Sequence, residues 1–167
     1  MSAVDKKLRE AHFFLRKMRE RVAMAFGDHE EFDFLLSGFL SAGRSLDYRL
    51  RHTVLGYAAF RATWDTQLTQ AEAALIKFLV DDRNFEEHEA GSTRQQAEDR
   101  IPVAGTYQDA SGTLTVFSAV GTPAPEIIKP TYYFNIAGKR VNVLEACAEY
   151  HRLLERLVTD CHVAGIA

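Results

Sequence analysis

No run of 18 apolar residues occurs anywhere in this chain of 167 residues, so the sequence offers no membrane-spanning helix, which takes about 20 of them. The opening MSAVDKKLREAH also has no apolar signal core. Both absences predict a soluble, cytoplasmic protein without membrane contact. Cysteine is scarce. Cys147 and Cys161 fall in one predicted helix, separated by about 21 Å at a rise of 1.5 Å per residue. They cannot bond to each other within the chain and are expected as buried small hydrophobes. An excess of one charge is missing too. The formal net charge is -3 and the pI about 6.1, which excludes a strongly basic nucleic-acid binder and confines any RNA contact to a local patch. There is no G-x-S-x-G and no Walker-type glycine loop. Ligand spacings such as H-x3-H or C-x2-C are absent as well. His29-Glu30-Glu31, with His12 or Asp33, is the one cluster that suggests a divalent ion. Its spacing is poor, so neither metal nor cofactor is expected.

What the chain does have is enough apolar side chain for a core: 47% hydrophobic residues against 26% charged, as in ordinary globular proteins. Its length fits one domain spanning 1–167. Residues 3–26 carry Leu8, Ala11, Leu15, Met18, Val22 and Ala25 at alternating steps of three and four, one stripe of a helix. Gly27 is a natural stop. Asp28-His-Glu-Glu31 resembles a capping box opening a second helix to about His52, with Phe32, Leu36, Phe39, Gly43, Leu46 and Leu50 facing a core. The small residues of LSGFLSAGRS predict a close helix neighbour, because each glycine costs about 1 kcal/mol relative to alanine. Ser37, Ser41 and Ser45, four apart, are explained by the same packing. Residues 53–68 read either as loop or as a short helix. Thr69-Gln-Ala-Glu72 is another capping box, and opens a helix carrying Leu75, Phe78 and Leu79.

After residue 88 the character changes. EAGSTRQQAEDRI (89–101) is polar and reads as loop. Val103–Gln108 and Thr113–Val120 flank Asp109-Ala-Ser-Gly112 as a hairpin. Tyr132–Ile136 is a third strand, followed by a turn at Ala137-Gly138-Lys139, while Pro123, Pro125 and Pro130 confine the connecting segment to loop or sheet edge. Asn142 caps a last helix with Val143, Cys147, Tyr150, Leu154, Leu157 and Cys161 on one stripe. The expected architecture is therefore mainly α (α+β). It is an up-down helical bundle of residues 1–90 plus 142–165, with a small antiparallel sheet inserted at about 102–141, before the C-terminal helix.

One stretch carries chemistry. In FLVDDRNFEEHEA (78–90), Arg83 and Asn84 precede His88. Positions four apart share a helix face, so Asn84 and His88 stack, with Arg83 beside them. Histidine exchanges protons near neutral pH, and arginine clamps phosphate oxygens in pairs. That combination suits metal-free cleavage of RNA. A base helps the 2′-OH attack its own phosphate, and a guanidinium stabilises the charge that grows there. The bare spacing is unspecific: with 6 histidines in the chain, roughly half an Arg-x4-His arises by chance, and roughly one in twenty when a polar residue must follow the arginine.

With its apolar lead-in, Phe78-Leu79-Val80-Asp81-Asp82-Arg83-Asn84-Phe85-Glu86-Glu87-His88 resembles the hallmark of the HEPN superfamily. The earlier Gly38-Phe39-Leu40-Ser41-Ala42-Gly43-Arg44-Ser45 is similar to helices of HEPN-like bacterial proteins. The resemblance spans about residues 1–90. It implies a helical bundle acting as a homodimer, with the motif of both subunits at the dimer axis. It further implies metal-independent endoribonuclease activity of the toxin type, held by an antitoxin protein, in which His88 is the general acid/base, Arg83 the phosphate clamp and Asn84 a supporting polar residue. Other members are non-catalytic modules that bind a protein or nucleotide. Arg44, Arg49 and Arg51 on the second helix are candidate RNA-binding residues or a solvated face. Asp81, Asp82, Glu86, Glu87 and Glu89 oppose an RNA site by like charge unless they turn away or pair with those arginines. Trp64, Tyr132 and Tyr133 are expected as packing aromatics.

Overall fold

The computed structural model describes residues 3–24, 29–88, 93–102, 106–108, 114–116 and 126–166, with the side chains of 85–88, 99–102, 106–108, 114–116 and 126–128 outside that description. Among the described residues the order is α1 (Ala3–Ala23), α2 (His29–Thr53), α3 (Tyr57–Thr66), α4 (Gln70–His88), β1 (Gln95–Pro102), β2 (Thr106–Gln108), β3 (Leu114–Val116), β4 (Glu126–Ile136), β5 (Lys139–Asn142) and α5 (Val143–Val163). This is the expected mainly helical bundle with a small antiparallel sheet before the last helix. None of the described helices is long and apolar enough to cross a membrane.

The α1 and α2 helices form an antiparallel hairpin. Phe14 meets Gly38, and one turn and more away Arg21 Nε lies 3.0 Å from Glu31. A methyl group at Gly38 would come within 2.6 Å of the Phe14 ring, and one at Gly43 within 2.8 Å of Tyr150 Cε1. So the two glycines are offset by an aromatic ring each, as the small-residue stretch predicted. Every residue of the predicted α2 stripe is buried, as is every residue of the α5 stripe. Val4, Ala11, Leu15 and Met18 bury the α1 side; Ala25, Gly27 and Asp28 lie outside the described residues. Both cysteines are free and buried.

Local signals set the helix starts. The Thr69 box is reciprocal. Thr69 N donates to Glu72 Oε2 at 2.8 Å, and Glu72 N to Thr69 Oγ1 at 3.2 Å, which satisfies two orphan donors of the first turn. Asn142 Oδ1 accepts from Leu144 N and Glu145 N. The ambiguous stretch 53–68 contains the short helix α3, entered through Gly56 at φ 82, a conformation that suits glycine. Trp64 Nε1 ties it to α5 by donating to Asp160 Oδ2 at 2.9 Å.

The sheet departs from the sequence expectation at its first strand. Residues 95–102, read as loop, form β1 and pair antiparallel along β4 from Gln95↔Tyr133 to Pro102↔Glu126. The inserted sheet therefore starts near 95 rather than 102. A polar segment without alternation pairs there through its main chain, and period-2 reasoning cannot see such a strand. Likewise β4 runs from Glu126 and includes Pro130, although it is the middle strand of β1-β4-β5. Proline is tolerated because β5 pairs only with Tyr133–Ile136. At Pro130 the described strand has β1 alone as neighbour and is locally an edge. The β4–β5 turn has Ala137 at φ 50 and Gly138 at φ 77, both positive, as a two-residue I′ hairpin requires. The expected hairpin appears as β2–β3, paired Thr106↔Val116 to Gln108↔Leu114.

The sheet is fastened to α2 and α4 by aromatics. Tyr132 stacks on Phe32 at 3.8 Å, and Phe134 meets Phe78 at 5.1 Å. Arg94 forks onto Asp33 through Nε and Nη2 and lies 4.7 Å over the Tyr132 ring.

Candidate functional site

The groove between α2 and α4 is built from two stripes. Burial of Leu75 and Leu79 orients α4 so that Ile76, Val80 and Arg83, at i, i+4 and i+7, form the adjoining row. On α2 the matching row is Ser41, Arg44, Tyr48 and Arg51, with Ser45 beside it. Together they line two pockets. The polar one, about 210 Å³ and open to solvent, is lined by Ser41, Arg44, Ser45, Tyr48 and Arg83. The apolar one, about 310 Å³, has Ile76, Val80, Leu153, Leu154 and Leu157 in its walls. Arg44 and Tyr48 belong to both, so the two pockets adjoin.

In the polar pocket, Arg83 Nε donates to Ser41 Oγ at 2.8 Å. This fixes one edge of the guanidinium across the groove. Ser41 and Ser45, read from the sequence as helix packing, both line this pocket. Their spacing around Arg44 was the available signal. Arg44 is exposed and has no hydrogen bond or ion pair among the described residues. Asn84 is half-buried and does not line the pocket. His88 ends α4, and its side chain lies outside the described residues, as do those of Glu86, Glu87 and Glu89.

Two of the carboxylates that opposed an RNA site turn away from it. Asp82, only 3% exposed, accepts from Thr93 N at 2.8 Å and Thr93 Oγ1 at 2.5 Å and so holds the lead-in to β1. Asp81 pairs with Lys77 at 2.5 Å along the solvent face of α4. Neither is bonded to the α2 arginines in these contacts. The predicted arginine trio itself divides. Arg44 and Arg51, seven apart, share a face, whereas Arg49 is turned about 140° from Arg44 and lines neither pocket.

Around the apolar pocket Asp47 is the fixed acceptor. Tyr57 Oη and Arg61 Nη1 each donate to Oδ1 at 2.7 Å, and Arg51 Nε to Oδ2 at 2.7 Å. Burial pushes the Tyr57 hydroxyl pKa up, so this group donates throughout the ordinary pH range. Tyr150, 5% exposed, lines the cavity, and its hydroxyl has no hydrogen-bond partner among the described residues. Burial raises its pKa to about 12.

Among the described residues no three His, Cys, Asp or Glu side chains form a metal-holding group. His29 anchors the sheet instead, with Nδ1 2.8 Å from Tyr132 Oη and Nε2 3.2 Å from Gln96 Nε2. No family model, curated protein or solved structure matches this chain. A functional reading therefore rests on the groove's own chemistry.

Proposed function

We propose that the α2–α4 groove binds RNA phosphate and that the chain is a HEPN-like, metal-independent endoribonuclease working as a homodimer. The observation that supports this reading is Arg83, braced by Ser41 beside Arg44, which has no partner among the described residues, in an open pocket, with Asp81 and Asp82 bonded to Lys77 and Thr93. A guanidinium held along one edge meets a phosphate without first losing its own rotamer freedom, which favours binding. Arg83 and Arg44 would take the phosphate oxygens, and His88, one turn further along α4, would exchange the 2′-OH proton. A toxin role adds an antitoxin protein that covers the groove.

The test is incubation with structured RNA in EDTA. Cutting by the wild type that is lost in both His88→Ala and Arg83→Ala supports the enzyme. Cutting in all three marks a contaminating nuclease and overturns it.

A second reading has its own support. The Arg83–Ser41 and Arg44 arrangement suffices for binding without any contribution from His88. A non-catalytic module for a nucleotide or protein partner would retain RNA or nucleotide on the wild type, lose it in Arg83→Ala, keep it in His88→Ala, and cut nothing.

A further inference from the structure

The apolar pocket is a second site with a different chemistry. Its walls are aliphatic: Ile76 and Val80 from α4, and Leu153, Leu154 and Leu157 from α5. Its aromatic side chains offer little open ring face. Trp64 already has the guanidinium carbons of Arg61 and Arg156 each 5.1 Å from its ring, and Tyr48 is engaged with His52 at 4.1 Å. A nucleobase, which binds by stacking, finds no free face on Trp64; the exposed Tyr48 ring is the face that AMP tests. The volume, about 310 Å³, is at the small end for ligand pockets, which run about 300–1,000 Å³.

Two polar groups are left over. Tyr150 is held in place by its neighbours: its ring edge passes Gly43, where a methyl would come within 2.8 Å, and Phe39 meets it edge-on at 6.0 Å. Its hydroxyl ends in the cavity with no hydrogen-bond partner among the described residues. Unlike Arg21 Nε and His151 Nε2, this hydroxyl is not sealed from solvent, so it can donate to a ligand oxygen that enters the cavity. Arg44 at the mouth is the cation with no counter-charge in the same description. Arg51 is paired with Asp47, and Arg61 with Asp47 and Asp65, so three guanidiniums face two carboxylates and one positive charge is left over.

We propose that this cavity binds a medium-length aliphatic monocarboxylate, its chain against the leucine floor and its carboxylate shared between the Tyr150 hydroxyl and the Arg44 guanidinium. The ligand is a monoanion because one cation is unpaired, and aliphatic because the walls are. The site draws on α2, α3, α4 and α5 and shares Arg44 with the RNA groove, but it does not use Ser41, Arg83 or His88, so octanoate binding that persists in Arg83→Ala separates the two readings.

Trp64 is the sole tryptophan and lines the cavity, which makes its fluorescence the readout. Octanoate, its neutral counterpart octanamide, and AMP are titrated against the full chain. Octanoate is expected to bind and octanamide to bind roughly tenfold or more weakly, because a charge-assisted contact is lost. Arg44→Gln abolishes the difference between the two. Tyr150→Phe, which keeps the ring and hence the fold, weakens octanoate by about threefold to tenfold. Equal binding of octanoate and octanamide overturns the proposal, and so does the absence of any octanoate response at millimolar concentration. Tighter binding of AMP than of octanoate assigns the cavity to a nucleotide and also overturns it.

Discussion

On its inner side α2 presents Phe32, Leu36, Phe39, Leu46 and Leu50, all fully buried; on its outer side it presents Ser41, Arg44, Ser45, Tyr48 and Arg51 to the two pockets. Each inner side chain contributes about 1.5–3 kcal/mol by leaving water. The outer ones contribute little, since Tyr48 is 61% exposed and Arg44 lacks a partner among the described residues. One helix thus separates a face that carries stability from a face that lines the pockets. Gly43 lies at the seam: it is buried with the core, yet it decides where the Tyr150 hydroxyl ends. Substitutions graded across the helix test how clean that separation is.

The largest effect belongs to the inner face. Phe39→Ala leaves a cavity against Tyr150 and is expected to cost about 3–5 kcal/mol, read as a lower urea midpoint at unchanged m-value. At the seam, Gly43→Ala pushes a methyl into a ring that is itself buried. Overpacking of about 1–3 kcal/mol is partly offset by the better helix propensity of alanine, about 1 kcal/mol. A net loss of up to about 2 kcal/mol is expected. Gly38→Ala is the control, because the Phe14 ring it meets is only half-buried and can swing outward. A smaller loss there, by the same urea titration, shows that Gly43 is constrained by its partner rather than by being glycine.

The α1–α5 seam carries a smaller, pH-dependent term. His151 is buried near His12, with ring centroids 5.3 Å apart, and its Nε2 has no hydrogen-bond partner among the described residues. Burial lowers its pKa below the ordinary 6.5, aided by His12 and Arg19 and opposed by Glu155 and the Leu8 backbone. With the folded value depressed, the unfolded chain takes the proton first. The stabilisation is complete above pH 6.5 and is lost as pH falls through the folded value. One proton limits the slope to about 1.4 kcal/mol per pH unit. His151→Gln should flatten the acid limb of stability measured against pH, and an unchanged limb would assign it to other groups.

Helix periodicity made the inner face of α2 legible residue by residue, because burial against one side imposes the 3.6-residue repeat. The same holds for α5, and the Thr69 and Asn142 caps were visible as short-range patterns. Strand β1 was not. Its sequence QQAEDRIP has no apolar alternation, and main-chain pairing leaves no trace in side-chain pattern. In the groove, Arg83 and Arg44 were legible as candidates, but their brace was not. Ser41 is 42 positions from Arg83 in sequence, and a serine four residues from another serine is usually packing. The apolar cavity was invisible for a related reason. Tyr150, Leu154 and Leu157 read as core stripe, and only the gap left between α3, α4 and α5 turns that stripe into a wall.

The smallest expected change in stability is the one that most sharpens the contrast. Arg44→Gln removes an exposed charge with no partner among the described residues, so unfolding free energy should move by no more than about 0.5 kcal/mol. Arg83→Gln should cost slightly more, since the Nε–Ser41 bond is lost from a half-buried position, with a typical net value of about 1 kcal/mol. Both are measured by urea denaturation beside RNA retention at two salt concentrations. If the outer face is for recognition, both variants lose RNA affinity and show a shallower salt dependence, because fewer phosphate contacts release fewer counterions. If Arg44→Gln instead unfolds the chain as readily as an inner-face substitution, the guanidinium is part of the packing, and the division of labour across α2 fails at the residue on which both pockets depend.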